Sequence, residues 1–133
     1  MPNITNPEAF QLEAAAILAA AYSAFPMTFG WSRDPDSDDY PTETGQSRKD
    51  IQFQTIRWLI DHDYLCDELG YVGGEWKGLR LTERGLTALN SVPDALTGKE
   101  PLGKRLSVAV GKASLETIKQ LIPAVIQQAF LGG

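Results

Sequence analysis

The fold is decided by residues 58–86, which read WLIDHDYLCDELGYVGGEWKGLRLTERGL. The first residues of this stretch have the apolar periodicity of the end of a helix. Two strand-like runs follow, residues 64–68 and 76–81, and Gly73-Gly74 is the turn signal between them. Thr82 is then a predicted cap for a short helix over residues 83–90. The stretch therefore predicts a helix, a β-hairpin and a second helix in direct succession.

One helix is predicted near the start of the chain. Asn6 is its predicted cap, Pro7 occupies its first position, and Pro26 stops it. Its apolar residues fall in one stripe, which indicates packing against a core. A brief strand is expected within residues 27–31.

The helix that leads into the hairpin is predicted to begin after Ser47, with Asp50 in a position typical of a capping box. It runs to about His62, and apolar residues cover more than half of its circumference. The segment before it, residues 32–46, contains two prolines and five acids and is interpreted as an exposed loop.

The end of the chain is predicted to differ from the rest in organisation. Prolines and glycines near residues 91–103 indicate a linker, and Ser114 is a possible cap for a last helix. That helix has an apolar seam for docking on the chain itself or for dimerisation, formed by Leu115, Ile118, Ile122 and Val125. The prediction is a mainly α fold with a small β-hairpin (α+β), with a domain over residues 1–92 and a linker and amphipathic helix over residues 93–133.

Composition limits the classes of protein to which the chain could belong. Its length of 133 residues and 43% hydrophobic content suit one compact domain. Cys66 is the single cysteine, so no internal disulfide is expected, and a reducing, cytoplasmic location fits best. No apolar run approaches the roughly 20 residues that a membrane-spanning helix needs.

Catalytic and metal-binding patterns are not expected. Residues 34–45 begin like a calcium loop, but Gly45 stands where a bidentate glutamate is needed. The single histidine, His62, and Cys66 match no common zinc spacing, and no third group accompanies them as a nucleophile pair. We therefore expect no enzyme activity, no metal and no cofactor.

Residues 47–90 resemble the winged helix-turn-helix superfamily. In that family a recognition helix leads into a strand and a wing hairpin, and the second strand often ends in a Leu-Thr-x-x-Gly stretch, here Leu81 to Gly85. One departure is that residues 32–46, which hold the position of the first helix of the motif, are acidic and contain proline. The resemblance implies that DNA is contacted by five residues: Arg48, Lys49 and Gln52 on the helix, and Lys77 and Arg80 on the hairpin.

Two functions remain open from the sequence. The first is a DNA-binding protein, possibly a transcriptional regulator, that dimerises through its terminal helix so that two helices reach two half-sites on double-stranded DNA. The second is a winged-helix module that binds another protein and no nucleic acid. A weaker third interpretation places the terminal helix on a membrane surface.

The distribution of charge distinguishes DNA binding from protein binding. The net charge is −5, and residues 1–75 hold 4 Lys and Arg against 13 Asp and Glu, whereas residues 76–133 hold 8 against 4. Phosphate binding needs a local basic face. DNA binding is therefore favoured if Arg48, Lys49, Lys77 and Arg80 share a face that is free of the acidic residues 34–39.

Overall fold

The computed structural model describes residues 4–32, 45, 47–93 and 99–132, and the fold within them is α+β. The acidic residues 33–44 lie outside the described part, so the calcium-loop comparison and the position of this segment relative to the basic residues are not described. In the described ranges the elements are α1 Asn6–Ala24, β1 Phe29–Trp31, α2 Arg48–Asp61, β2 Leu65–Asp67, β3 Tyr71–Val72, β4 Glu75–Leu81, α3 Glu83–Asn90, α4 Leu102–Gly111 and α5 Leu115–Gly132.

Helix α1 begins with a complete capping box, one residue earlier than predicted. The cap is Thr5, not Asn6: the Thr5 hydroxyl accepts from the Glu8 backbone N–H at 3.2 Å, and the Thr5 N–H donates to the Glu8 carboxylate at 3.0 Å. The helix contacts α2, α4, α5, β1 and β4. Its many alanines let these elements approach closely, so α1 lies at the centre of the fold.

Helix α2 confirms the predicted helix before the hairpin. The Ser47 hydroxyl accepts from the Asp50 N–H at 3.2 Å, and the helix ends at Asp61 with His62 as its C-cap. Ile56 and Leu59 are buried, while Gln54 and Arg57 are exposed. The chain then turns through Asp63, which has a φ of 64°.

The sheet is antiparallel, and β4 is its central strand, in the order β1-β4-β2 with β3 also paired to β4. The predicted hairpin is present, and its tip turns through Gly73 and Gly74, which both have positive φ as a type I′ turn requires. The three residues of β1 from Phe29 to Trp31 are matched by four residues of β4, from Trp76 to Leu79. This bulge lets Trp76 and Leu79 both face the core.

Helix α3 follows β4 directly, as predicted. The Thr82 hydroxyl accepts from the Gly85 N–H at 3.0 Å and caps the helix. A Cβ on Gly85 would lie 2.3 Å from the Tyr64 carbonyl oxygen, closer than any real contact. Only glycine therefore allows α3 to pack against the turn that follows α2.

Helix α4 was not predicted, because its residues were assigned partly to the linker. Leu102, Leu106 and Ala109 of α4 are buried in the same cluster as residues of α1, β4 and α5. Helix α5 contacts α1, α3 and α4. The Lys119 ammonium lies 3.1 Å from the Glu8 carboxylate and joins α5 to the start of α1.

Candidate functional site

The residues that the resemblance assigned to DNA contact lie on α2 and on the hairpin, and Arg48 is the one tied most closely to the core. Its Nε lies 2.8 Å from the Glu13 carboxylate of α1, which is only 2% exposed. A buried carboxylate needs a partner to remain charged. Arg48 therefore stabilises the packing of α2 against α1, a role that the sequence spacing did not indicate.

The other two residues predicted on α2 lie in its first turns. Lys49 is exposed and forms no ion pair with the described residues, while Gln52 is half-buried. Further along the exposed side of the helix, the Arg57 guanidinium lies 3.9 Å from the Asp61 carboxylate. Of the cations on α2, Lys49 is thus the one that has no carboxylate partner within the described residues.

Both basic residues predicted on the hairpin are paired with carboxylates of the hairpin itself. The Lys77 ammonium binds Glu75, and the Arg80 guanidinium binds Glu68 across the β2–β4 pair. The hydrogen bond and the charge of Lys77 lower the pKa of the Glu75 carboxyl below its usual value. The positive charge of both residues is therefore offset locally.

The formal charge of the whole candidate surface follows from the sequence of residues 47–82. These contain five cations, Arg48, Lys49, Arg57, Lys77 and Arg80, and six acids, Asp50, Asp61, Asp63, Asp67, Glu68 and Glu75, which gives −1. Residues 99–132 contain five cations, Lys99, Lys104, Arg105, Lys112 and Lys119, and two acids, Glu100 and Glu116, which gives +3. The excess of positive charge in the described part of the chain thus lies on α4 and α5, away from the predicted DNA contacts.

The hairpin carries an apolar surface that sequence reasoning missed. Leu69, Tyr71 and Val72, called the hairpin patch below, are 66%, 40% and 55% exposed. The ring of Phe53 on α2 lies 4.9 Å from that of Tyr71 and 5.5 Å from that of Trp76, while Val72, the next residue of β3, points to the other face of the hairpin. These rings fix the hairpin on α2. The available signal was the run of apolar residues beside the Gly73-Gly74 turn, where polar residues are usual.

The seam predicted on the last helix lies mainly inside the chain's own core. Ile118, Ile122 and Val125 are 1–2% exposed, and Leu115 is half-buried. These side chains pack in the cluster that also contains residues of α1 and α4.

His62 and Cys66, which were considered for nucleophilic or metal chemistry, contact different groups. The His62 ring stacks on Trp58 with centroids 3.9 Å apart, and its Nδ1 lies 2.9 Å from the Trp58 carbonyl oxygen. The Cys66 thiol lies 3.5 Å from the Arg80 carbonyl oxygen. Among the described residues, no group of three or more His, Cys, Asp or Glu could hold a metal ion. No helix formed by these residues is both long and apolar enough to cross a bilayer.

Comparison with known proteins identifies no relative of this chain. No protein-family model, no curated protein and no solved structure matches this chain. The class that the fold defines is a small α+β domain with a helix and a hairpin on one surface.

Proposed function

We propose that this chain is a winged-helix-type module that binds another protein through the hairpin patch. The observation that carries the proposal is the exposure of Leu69, Tyr71 and Val72 beside cations that already have carboxylate partners. The order of α2, β2, the hairpin and the Thr82-capped helix supports the winged-helix description. Several exposed apolar residues within one short segment of the hairpin are typical of an interaction segment.

The partner that this surface fits is a segment with apolar side chains flanked by Lys or Arg. The apolar side chains would cover the hairpin patch, which α2 supports through Phe53. The cations would meet the carboxylates of residues 47–82, which carry a formal charge of −1. Charge complementarity of this kind speeds association and excludes other partners.

The proposal includes no catalytic activity and no cofactor. It places the chain in the cytoplasm, because Cys66 has no second cysteine with which to form an internal disulfide.

The test is photo-crosslinking in cells from a reactive residue at position 72, compared with one at position 108. Val108 of α4 is also an exposed valine and serves as the control. A protein captured at position 72 and not at 108 is then purified and its affinity measured. We expect a Leu69→Ser/Tyr71→Ser/Val72→Ser variant to bind it at least about tenfold more weakly, and Val108→Ser to bind it as the unaltered chain does.

Two results would overturn this proposal. One is a crosslinking pattern that is the same at positions 72 and 108. The other is a purified partner whose affinity is unchanged by the triple substitution in a variant that circular dichroism shows to be folded.

DNA binding is the second candidate, and the observation that favours it is the exposed side of α2. Lys49, Gln54 and Arg57 are exposed there on the helix that precedes the hairpin. Exposed ion pairs such as Lys77–Glu75 contribute only about 0–1 kcal/mol, so phosphate could replace the carboxylate. A dimer that places two α2 helices on two half-sites belongs to this candidate.

The second candidate is tested by fluorescence anisotropy with mixed-sequence duplex DNA at two salt concentrations. The variant is Lys49→Ala/Lys77→Ala/Arg80→Ala, which spares Arg48 because Arg48 holds Glu13. Salt-dependent binding that this variant loses would establish DNA as the ligand. Binding that is absent at low salt, or that the variant retains, would exclude contact through α2 and the hairpin.

A further inference from the structure

A second site lies at the other end of α2, in a cleft between that end, the start of α3 and the last turns of α5. The cleft has a volume of about 370 Å³ and is separate from the hairpin patch. Pockets for small ligands begin at about 300 Å³. It is called the end cleft below.

Aromatic rings form one side of the end cleft. The Trp58 and Tyr64 rings are nearly parallel, with centroids 5.8 Å apart. Phe130 of α5 also lines the cleft and is 70% exposed, although phenylalanine is usually buried. Tyr64 is already buried, so a planar apolar group placed in the cleft would chiefly remove the Phe130 ring from water.

Arg84 supplies a cation that has no carboxylate partner in the described part of the chain. Its Nε is enclosed and has no hydrogen-bond acceptor, and the guanidinium forms no ion pair with a described carboxylate. The guanidinium carbon lies 5.6 Å from the centre of the Phe130 ring, which holds it at the aromatic side of the cleft. A carboxylate is the group that a guanidinium binds best, through two parallel hydrogen bonds.

Asp63 supplies the opposite charge at a position where aspartate is locally unfavourable. Its φ of 64° is left-handed, and it follows the C-terminal end of α2, where the helix dipole disfavours an acid. The Thr82 hydroxyl donates to the Asp63 carbonyl oxygen at 2.6 Å and fixes this turn. An acid at the negative end of a helix is locally unfavourable, and such departures from local preference occur at functional sites. An ammonium group is the ligand that Asp63 and the α2 carbonyl end both favour.

We propose that the end cleft binds a zwitterionic aromatic amino acid. Its carboxylate binds Arg84, its ring packs against Phe130 and the stacked Trp58–His62 pair, and its ammonium group lies at Asp63. The site gives the binding module a small-molecule effector. It does not depend on whether the module binds protein or DNA.

The test is isothermal titration calorimetry with L-phenylalanine, 3-phenylpropionate and phenethylamine. The last two compounds each lack one of the two charges. We expect saturable binding of L-phenylalanine and affinities at least about tenfold weaker for the other two. No saturable binding of L-phenylalanine up to about 10 mM, or equal affinity for 3-phenylpropionate, would overturn the proposal.

Substitutions test whether L-phenylalanine binds in the end cleft. Asp63→Asn removes the charge and keeps the shape of the side chain, whereas Arg84→Gln removes the charge and leaves a shorter polar side chain. Each should weaken L-phenylalanine binding about tenfold. Arg105→Gln is the matched control, because Arg105 of α4 also has an enclosed nitrogen without an acceptor but does not line the end cleft. Unchanged affinity in Arg84→Gln would overturn the assignment. If Arg84→Gln does not fold, Phe130→Ala on the exposed side of the cleft replaces it, with the same two outcomes.

Discussion

Gly85 is the residue at which the packing of α3 is most sensitive to a single methyl group. Because a Cβ there would lie 2.3 Å from the Tyr64 carbonyl oxygen, Gly85→Ala must push α3 away from the turn after α2. We expect the free energy of unfolding to fall by about 2 kcal/mol or more. Urea denaturation measures this change.

Gly111→Ala is the matched control for that substitution. Gly111 ends α4 with a negative φ, and a Cβ there meets no atom within 4 Å. Alanine should therefore stabilise the chain by about 0.5 kcal/mol. Equal effects of the two substitutions would show that α3 is not held against Tyr64.

Asp63 gives a second prediction, in which replacing one residue raises the stability of the fold. Asp63→Gly removes a Cβ from a left-handed position and a negative charge from the end of α2. We expect the free energy of unfolding to rise by about 0.5 kcal/mol, because the relief of backbone strain exceeds the entropy cost of glycine. Thermal and urea unfolding measure this change. A fall in stability would show that Asp63 is structural and would remove one reason for assigning it to a ligand.

Arg48 gives the third prediction, because it holds the buried Glu13 carboxylate. Arg48→Met leaves this carboxylate without its guanidinium, so we expect a loss of about 2–4 kcal/mol in urea unfolding. The double variant Glu13→Leu/Arg48→Met should recover at least half of that loss, because both charges of the pair are removed together. Additive losses in the double variant would contradict this account.

At the scale of elements, the Glu8–Lys119 pair makes the contact of α1 with α5 sensitive to acid. The Thr5 backbone N–H and the Lys119 ammonium lower the pKa of Glu8 to about 2, from an ordinary value of 4.5. A carboxyl whose pKa is lower in the folded state stabilises the fold above the unfolded value and ceases to do so as the pH falls toward the folded value.

The fourth prediction therefore concerns pH values from about 4.5 down to about 2. The free energy of unfolding, measured with urea across this range, should fall more steeply with decreasing pH in the unaltered chain than in Glu8→Gln. Lys119→Met should reduce the slope in part, because the bond from Thr5 remains. Parallel curves for the unaltered chain and Glu8→Gln would show that the carboxylate adds no stability specific to the folded state.

The sequence predicted those elements whose signals are local. Ser47 and Thr82 cap helices as expected, and the glycine pair turns the hairpin. Helix α4 was missed because Pro101 and Gly103 are typical of a linker. Pro101 is in fact the N-cap of α4, and a Cβ on Gly103 would lie 2.7 Å from the Tyr22 ring of α1. That glycine serves a contact with a residue 81 positions earlier in the chain, which periodicity cannot show.

The positions of the predicted DNA-contact residues could be predicted from the sequence, but their ion pairs and the exposed hairpin patch could not. The spacing placed Arg48 and Lys49 on α2, and Lys77 and Arg80 on the hairpin, where the structure has them. The carboxylate partners Glu13 and Glu68 come from other elements, so their effect depends on packing. The end cleft was not predicted either, because its sides come from three helices.

At the scale of the whole molecule, the fifth prediction concerns the removal of α5. A chain that ends at residue 113 lacks Ile118, Leu121, Ile122, Val125 and Ala129, which are all buried in the cluster shared with α1 and α4. We expect this shortened chain to lose cooperative thermal unfolding, followed by circular dichroism, because the remaining core faces water. A sharp transition in the shortened chain would show that the terminal helix is an appended unit, as the division at residue 92 implies.

The central place of α1 has a consequence during synthesis on the ribosome. Helix α1 leaves the exit tunnel first, but the helices that cover it, α4 and α5, begin only at Leu102 and Leu115. Synthesis proceeds at about 5–20 residues per second, so the apolar side chains of α1 remain uncovered for several seconds before these helices are made. In that interval the nascent chain is a substrate for chaperones that hold apolar helices. A synonymous codon change that slows translation between α3 and α4 would lengthen that exposure without altering a single residue of the finished molecule.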